Sequence, residues 1–151
     1  MKRNLLRFFL SLIVVSVVLI WLWFESLQIE YAKLFKAPAQ FAFRHLGIPK
    51  SGLMLVLEHF TNLVPYIALC LSLPTAPWKK RFARLGLGLA ILIVVHYIML
   101  VAVSGIYSTY SLSPTAYKFL FPILTINDAL PLALWFLFFS EEIIGLFRKR
   151  K

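Results

Sequence analysis

Four ionisable residues, Glu58, His59, His96 and Asp128, lie inside or at the edge of long apolar runs in this 151-residue chain. Asn62 and Asn127 add neutral polar groups to the same runs. A charge held at the centre of a bilayer costs roughly 2.5–3.5 kcal/mol on insertion scales, so each such residue calls for a reason. Read as spanning helices, the runs put Glu58 and His59 about five or six residues below the outer surface, at about 1.5 Å per residue. Asn127 and Asp128 lie at a similar depth, and His96 lies near the middle of its run. Glu58 and Asn62 are four apart and share a helix face. The sharper expectation is that Glu58, His96 and Asp128 line one pocket open to the outer side. Such a pocket binds a metal, relays protons, or holds a polar head group or a peptide terminus. The plainer expectation is that these residues pair with one another, or with a partner helix, and lock the bundle.

Other chemistries find less to work with. No His-x3-His or HExxH spacing is present, so no metal ligand set and no cofactor is assigned. Cys70 is the one cysteine, which excludes an internal disulfide or a CxxC pair. Its apolar surroundings, near the cytoplasmic end of its run, raise a thiol's pKa and leave it inert. Ser104, Ser108 and Ser111 have no base placed to activate them. No catalytic residue is therefore assigned.

The elements that must position these groups follow from hydropathy. The chain is 61% hydrophobic with 14 Phe and has a mean hydropathy of +0.84, whereas globular chains run at roughly 45–50% apolar. Four windows, near 5–24, 53–73, 85–106 and 121–139, are long enough to cross the hydrocarbon layer. The fold class is thus an all-α membrane bundle of about four transmembrane helices in one domain, 1–151. The start Met1-Lys2-Arg3-Asn4 and its apolar run resemble a signal peptide, but no small-residue cleavage site follows, so a retained first helix is expected.

The net charge of +10 sits in clusters flanking the apolar runs, which argues for membrane topology and against nucleic-acid binding. Lys2, Arg3 and Arg7, the loop residues Lys79, Lys80, Arg81 and Arg84, and the tail Arg148 to Lys151 hold most of the 16 basic residues. Both termini and the 74–84 loop are expected in the cytoplasm, with that loop as a topology anchor touching lipid head groups. Lys33, Lys36, Arg44, Lys50 and Lys118 fall on the other side.

Between the first two windows, 26–46 reads as one or two short amphipathic helices in the outer interface. Leu27, Tyr31, Leu34 and Phe35 recur at the helical period, Pro38 interrupts, and Phe41, Phe43 and Leu46 follow. Pro74 and Pro77 close the second span, Pro114 breaks the outer loop, and Pro122 lies near the start of the fourth span. Pro65 and Pro131 fall inside their spans, each predicting a kink or an unsatisfied carbonyl.

The middle of the chain resembles the exosortase/archaeosortase family of membrane transpeptidases. The shared elements are Phe43-Arg44-His45-Leu46-Gly47, the run Glu58–Leu73, the loop Leu73-Pro74-Thr75-Ala76-Pro77-Trp78-Lys79-Lys80-Arg81, and the run Gly86–His96. Where such enzymes carry their nucleophilic cysteine this chain has Glu58-His59-Phe60-Thr61-Asn62, and Tyr97-Ile98-Met99 follows His96 where an Arg is expected. The resemblance implies a non-catalytic relative, similar to the small membrane proteins that accompany exosortase H in the bacterial inner membrane. Its partners would be the bilayer and another membrane protein, either an exosortase-like enzyme or a larger complex. Gly86, Gly88 and Ala90 offer close helix approach to a complex of that kind. A proton-coupled or metal-dependent protein using the outer polar cluster is the remaining alternative.

Overall fold

A computed structural model describes residues 2–45, 59–111 and 113–147, and among these every regular element is helical. The first helix, α1 (Lys2–Leu22), passes through a π-helical turn, Trp23–Leu27, into α2 (Gln28–Leu34). After Phe35 the chain turns into α3 (Lys36–His45). A 3-10 turn, His59–Asn62, leads into α4 (Leu63–Ser72), and two long helices follow, α5 (Trp78–Tyr110) and α6 (Pro114–Phe147). Among the described residues three stretches are long and apolar enough to cross a bilayer: Arg3–Leu34, Trp78–Tyr110 and Pro114–Phe147. The chain is a membrane-spanning, all-α protein. Of the expected second span, the described part is a shorter apolar helix, Phe60–Ser72, and residues 53–58 lie outside the described residues.

The long helices outrun their hydropathy windows because helix propensity continues past the apolar stretch. At about 1.5 Å per residue, the 33 residues of α5 reach roughly 50 Å, against about 30 Å of hydrocarbon. Local chemistry sets their ends. Ser111 takes a left-handed conformation (φ 52°) and closes α5, its N–H donating to the Tyr107 carbonyl at 2.9 Å. The Ser113 hydroxyl then accepts from the Ala116 N–H at 3.3 Å, capping α6, and Pro114 occupies the first helical position. Pro114 therefore begins a helix rather than breaking a loop, and Pro122 lies a full two turns inside it.

The other prolines also differ from expectation. The break after α2 falls at Phe35 (φ −97°, ψ 2°), and Pro38 sits in the first turn of α3, where no N–H is missed. Pro65 is likewise in the first turn of α4. Pro131 does not break α6; the non-helical residue there is Phe139 (φ −121°, ψ 20°). The carbonyl that Pro131 deprives of its donor, that of Asn127, is instead satisfied by the Asn62 side-chain amide at 2.9 Å. A neighbouring helix thus repairs the gap that a proline leaves in hydrocarbon.

Two apolar clusters build the core. One holds Phe8, Tyr66, Cys70, Leu92, Trp135 and Phe139 toward the 74–84 loop. The other holds Phe35, Phe60, Met99, Val103, Tyr107 and Leu120 toward the opposite end. Gly88 is required where α4 meets α5, because a Cβ there would enter the Tyr66 ring. Most of α1 faces outward, including Phe9, Ile13, Val17 and Trp21.

Candidate functional site

Between the two apolar clusters lies a polar layer. Phe60 and Leu63 flank Asn62, Leu92 and Met99 flank His96, and Leu120 and Leu134 flank Asn127. His96 is 0% exposed. Its Nδ1 lies 2.7 Å from the Tyr31 hydroxyl, and the Phe60 ring stacks on the imidazole at 4.2 Å with 17° between planes. Tyr31 and Phe35 stand at steeper angles around it, at 5.9 and 6.3 Å. The Asn127 carboxamide faces the same ring. The tautomer protonated on Nε2 lets Tyr31 donate to Nδ1. Phe60 and the amphipathic segment thus close over the histidine, and Asn62 ties the α4 entrance to α6.

Sequence reasoning expected Glu58, His96 and Asp128 to converge, with His59, Asn62 and Asn127 as further candidates; of these six, the fold brings Asn62, His96 and Asn127 into one layer. Asp128 does not join them. Successive helical residues point about 100° apart, so with Asn127 turned inward Asp128 is exposed. His59 lies on the 3-10 turn, and Glu58 lies outside the described residues. The expected pocket open to the outer side is, around His96, a filled aromatic cage. Among the described residues no group of three or more His, Cys, Asp or Glu is placed to hold a metal ion. Cys70 is buried in the apolar cluster on the loop side of this layer.

Tyr31 and Phe60 were legible only as members of apolar runs. Nothing in their local pattern ties them to a histidine on another helix. Tyr31 is 65 residues from His96, the same separation as Asn62 from Asn127.

A second polar assembly sits at the loop end. Glu142 pairs with Lys80, and its other oxygen lies 3.1 Å from Arg84. The Thr75 hydroxyl donates to the Glu142 carbonyl at 2.8 Å. Basic side chains at the start of α5 and carboxylates at the end of α6 each oppose their own helix dipole. Antiparallel packing sets the two against each other, and each offsets the other's charge. Arg81 departs from the expected role of lipid anchor. It is buried, donating to the carbonyls of Ala76 and Leu71, both at 2.8 Å, with its guanidinium 4.4 Å from the Trp78 ring centre. Lys79 remains exposed. The adjacent pair Glu141-Glu142 opposite a basic loop was the available signal for this lock.

Beside the polar layer two apolar cavities open on either side of Trp23 and Tyr31. One, of about 640 Å³, lies under α2 and α3, and the other, of about 510 Å³, lies against Leu19, Leu63 and Ile93. Both fall in the size range of small-molecule sites, roughly 300–1,000 Å³. No protein-family model, curated protein or solved structure matches this chain.

Proposed function

We propose that the chain is a non-catalytic accessory protein of the bacterial inner membrane, acting beside a partner membrane protein. Its N-terminus, the 74–84 loop and its C-terminus face the cytoplasm, and α2–α3 lies at the outer interface. The setting is an exosortase-type protein-sorting system, to which the loop and helix resemblance points. The observation that carries this reading is the use made of His96. An intramembrane ionisable group is a functional pointer by default, yet here the imidazole is enclosed by Tyr31, Phe35 and Phe60 and spent on holding α2 to α5. That arrangement braces α2 against α5 and so positions an outer platform.

A second reading, a structural subunit of a larger complex, is favoured by one face of α5. Gly86 has no atom within 4 Å of where a Cβ would be, and Ala90, one turn on, is exposed. Small residues four apart let another helix approach closely. Affinity purification from native membranes in mild detergent, with mass spectrometry, separates the two. Recovery of an exosortase-like enzyme or its tagged substrates is the expected result. Constant stoichiometry with a large assembly assigns the structural role instead. Proton-coupled uptake by the purified chain alone would overturn both.

A further inference from the structure

The larger cavity has a polar edge as well as an apolar floor. Lys36, Gln40 and Arg44, four residues apart along α3, line it together with Ile29, Phe35 and Phe60. Residues at that spacing share one helix face, so the two cations stand two turns apart on a single rim. Lys33 also lines the cavity, but Glu30 answers it at 2.5 Å. Among the described residues no carboxylate pairs with Lys36 or Arg44. These cations also stand at the end of the bundle away from the basic loop, where topology alone does not call for them.

The site therefore combines an apolar volume with two cations on its rim that no carboxylate among the described residues answers.

We propose that this cavity holds one anionic phospholipid. An acyl chain covers the exposed Ile29 and Phe43 of the lining, and the phosphate rests between Lys36 and Arg44. A free phosphate would leave the exposed apolar lining uncovered, and a zwitterionic head group would bring its own cation against the rim. This assignment goes beyond the accessory reading and does not depend on it.

The test is native mass spectrometry of the full chain in mild detergent. It is loaded with palmitoyl-oleoyl phosphatidylglycerol, with phosphatidylcholine of the same chains, or with phosphatidylglycerol plus inorganic phosphate. The expected result is one retained phosphatidylglycerol per chain, in preference to phosphatidylcholine and undisturbed by phosphate. The double variant Lys36→Gln/Arg44→Gln lowers its retention roughly thirtyfold, at about fivefold for each basic side chain near an anionic surface. Lys79→Gln at the opposite end leaves retention unchanged, and Ala32→Trp, which fills the cavity without altering charge, removes it. An unchanged melting temperature for the double variant separates lost binding from lost fold. Equal retention of the two lipids, equal loss in Lys79→Gln, or displacement by inorganic phosphate would each overturn the proposal.

Discussion

Two glycines on α5, two residues apart, should respond to the same substitution with opposite sign. Gly86 has nothing within 4 Å of where a Cβ would stand, whereas at Gly88 the added carbon falls inside the Tyr66 ring. Tyr66 is fully buried, and its hydroxyl donates to the Arg84 carbonyl at 2.9 Å, so the ring has no free direction in which to retreat. Gly86→Ala gains about 0.4–1 kcal/mol by restricting the unfolded chain. Gly88→Ala makes the same gain but meets an overpacking cost of about 1–3 kcal/mol and strains a hydrogen bond worth about 0.5–1.5 kcal/mol. The net is a loss of roughly 1–3 kcal/mol. For a chain of this size that lowers the melting temperature by about 2–4 °C per kcal/mol. The assay is thermal unfolding of the purified variants in one detergent. Tyr66→Leu should remove most of the Gly88→Ala cost, because the obstructing ring is gone. If Gly88→Ala melts with Gly86→Ala, the seating of α4 over α5 at this turn is wrong.

The polar layer and the loop lock make further predictions. Tyr31→Phe and His96→Leu should couple by about 0.5–1.5 kcal/mol in a double-mutant cycle, and strict additivity in detergent melting would deny their contact. Glu142→Gln should cost about 1–2 kcal/mol, because two partly buried cations lose their counter-charge. Glu141→Gln, whose side chain is 86% exposed, should stay within about 0.5 kcal/mol; equal losses on unfolding would refute the assignment. Cys70 should resist a membrane-permeant maleimide until the protein is unfolded, and labelling of the native protein at the rate of a free thiol would contradict its burial. In a Cys70→Ser background, Thr109→Cys and Lys79→Cys should label from opposite sides of sealed vesicles, with Lys79→Cys on the cytoplasmic side. Labelling of both from one side would refute the crossing of α5, and labelling of Lys79→Cys from the outer side would refute the orientation.

Hydropathy is a local count along the chain, so the sequence alone determined the membrane class, the helical fold and the three described spanning stretches. The segment 26–46 was legible as helical but not in its limits, because its first half continues α1 through Trp23–Leu27 and the break falls at Phe35 rather than at Pro38. Helix ends were less legible. Prolines mark positions where an N–H is missing, and whether that absence matters depends on what the freed carbonyl meets. The Asn127 carbonyl opposite Pro131 meets Asn62, and the helix runs on.

Only the tertiary structure decided which polar residues face one another, because helix rotation is set by side-chain packing and not by depth. Asn127 and Asp128 share a depth, but one is buried in the polar layer and the other is exposed. Tyr31 reaches His96 because the Phe35 turn and the Phe60 ring press α2 against α5. Glu142 meets Lys80 and Arg84 because α5 and α6 lie antiparallel. In each case the partners are separated by dozens of residues, and a contact of that kind leaves no periodic trace in either segment.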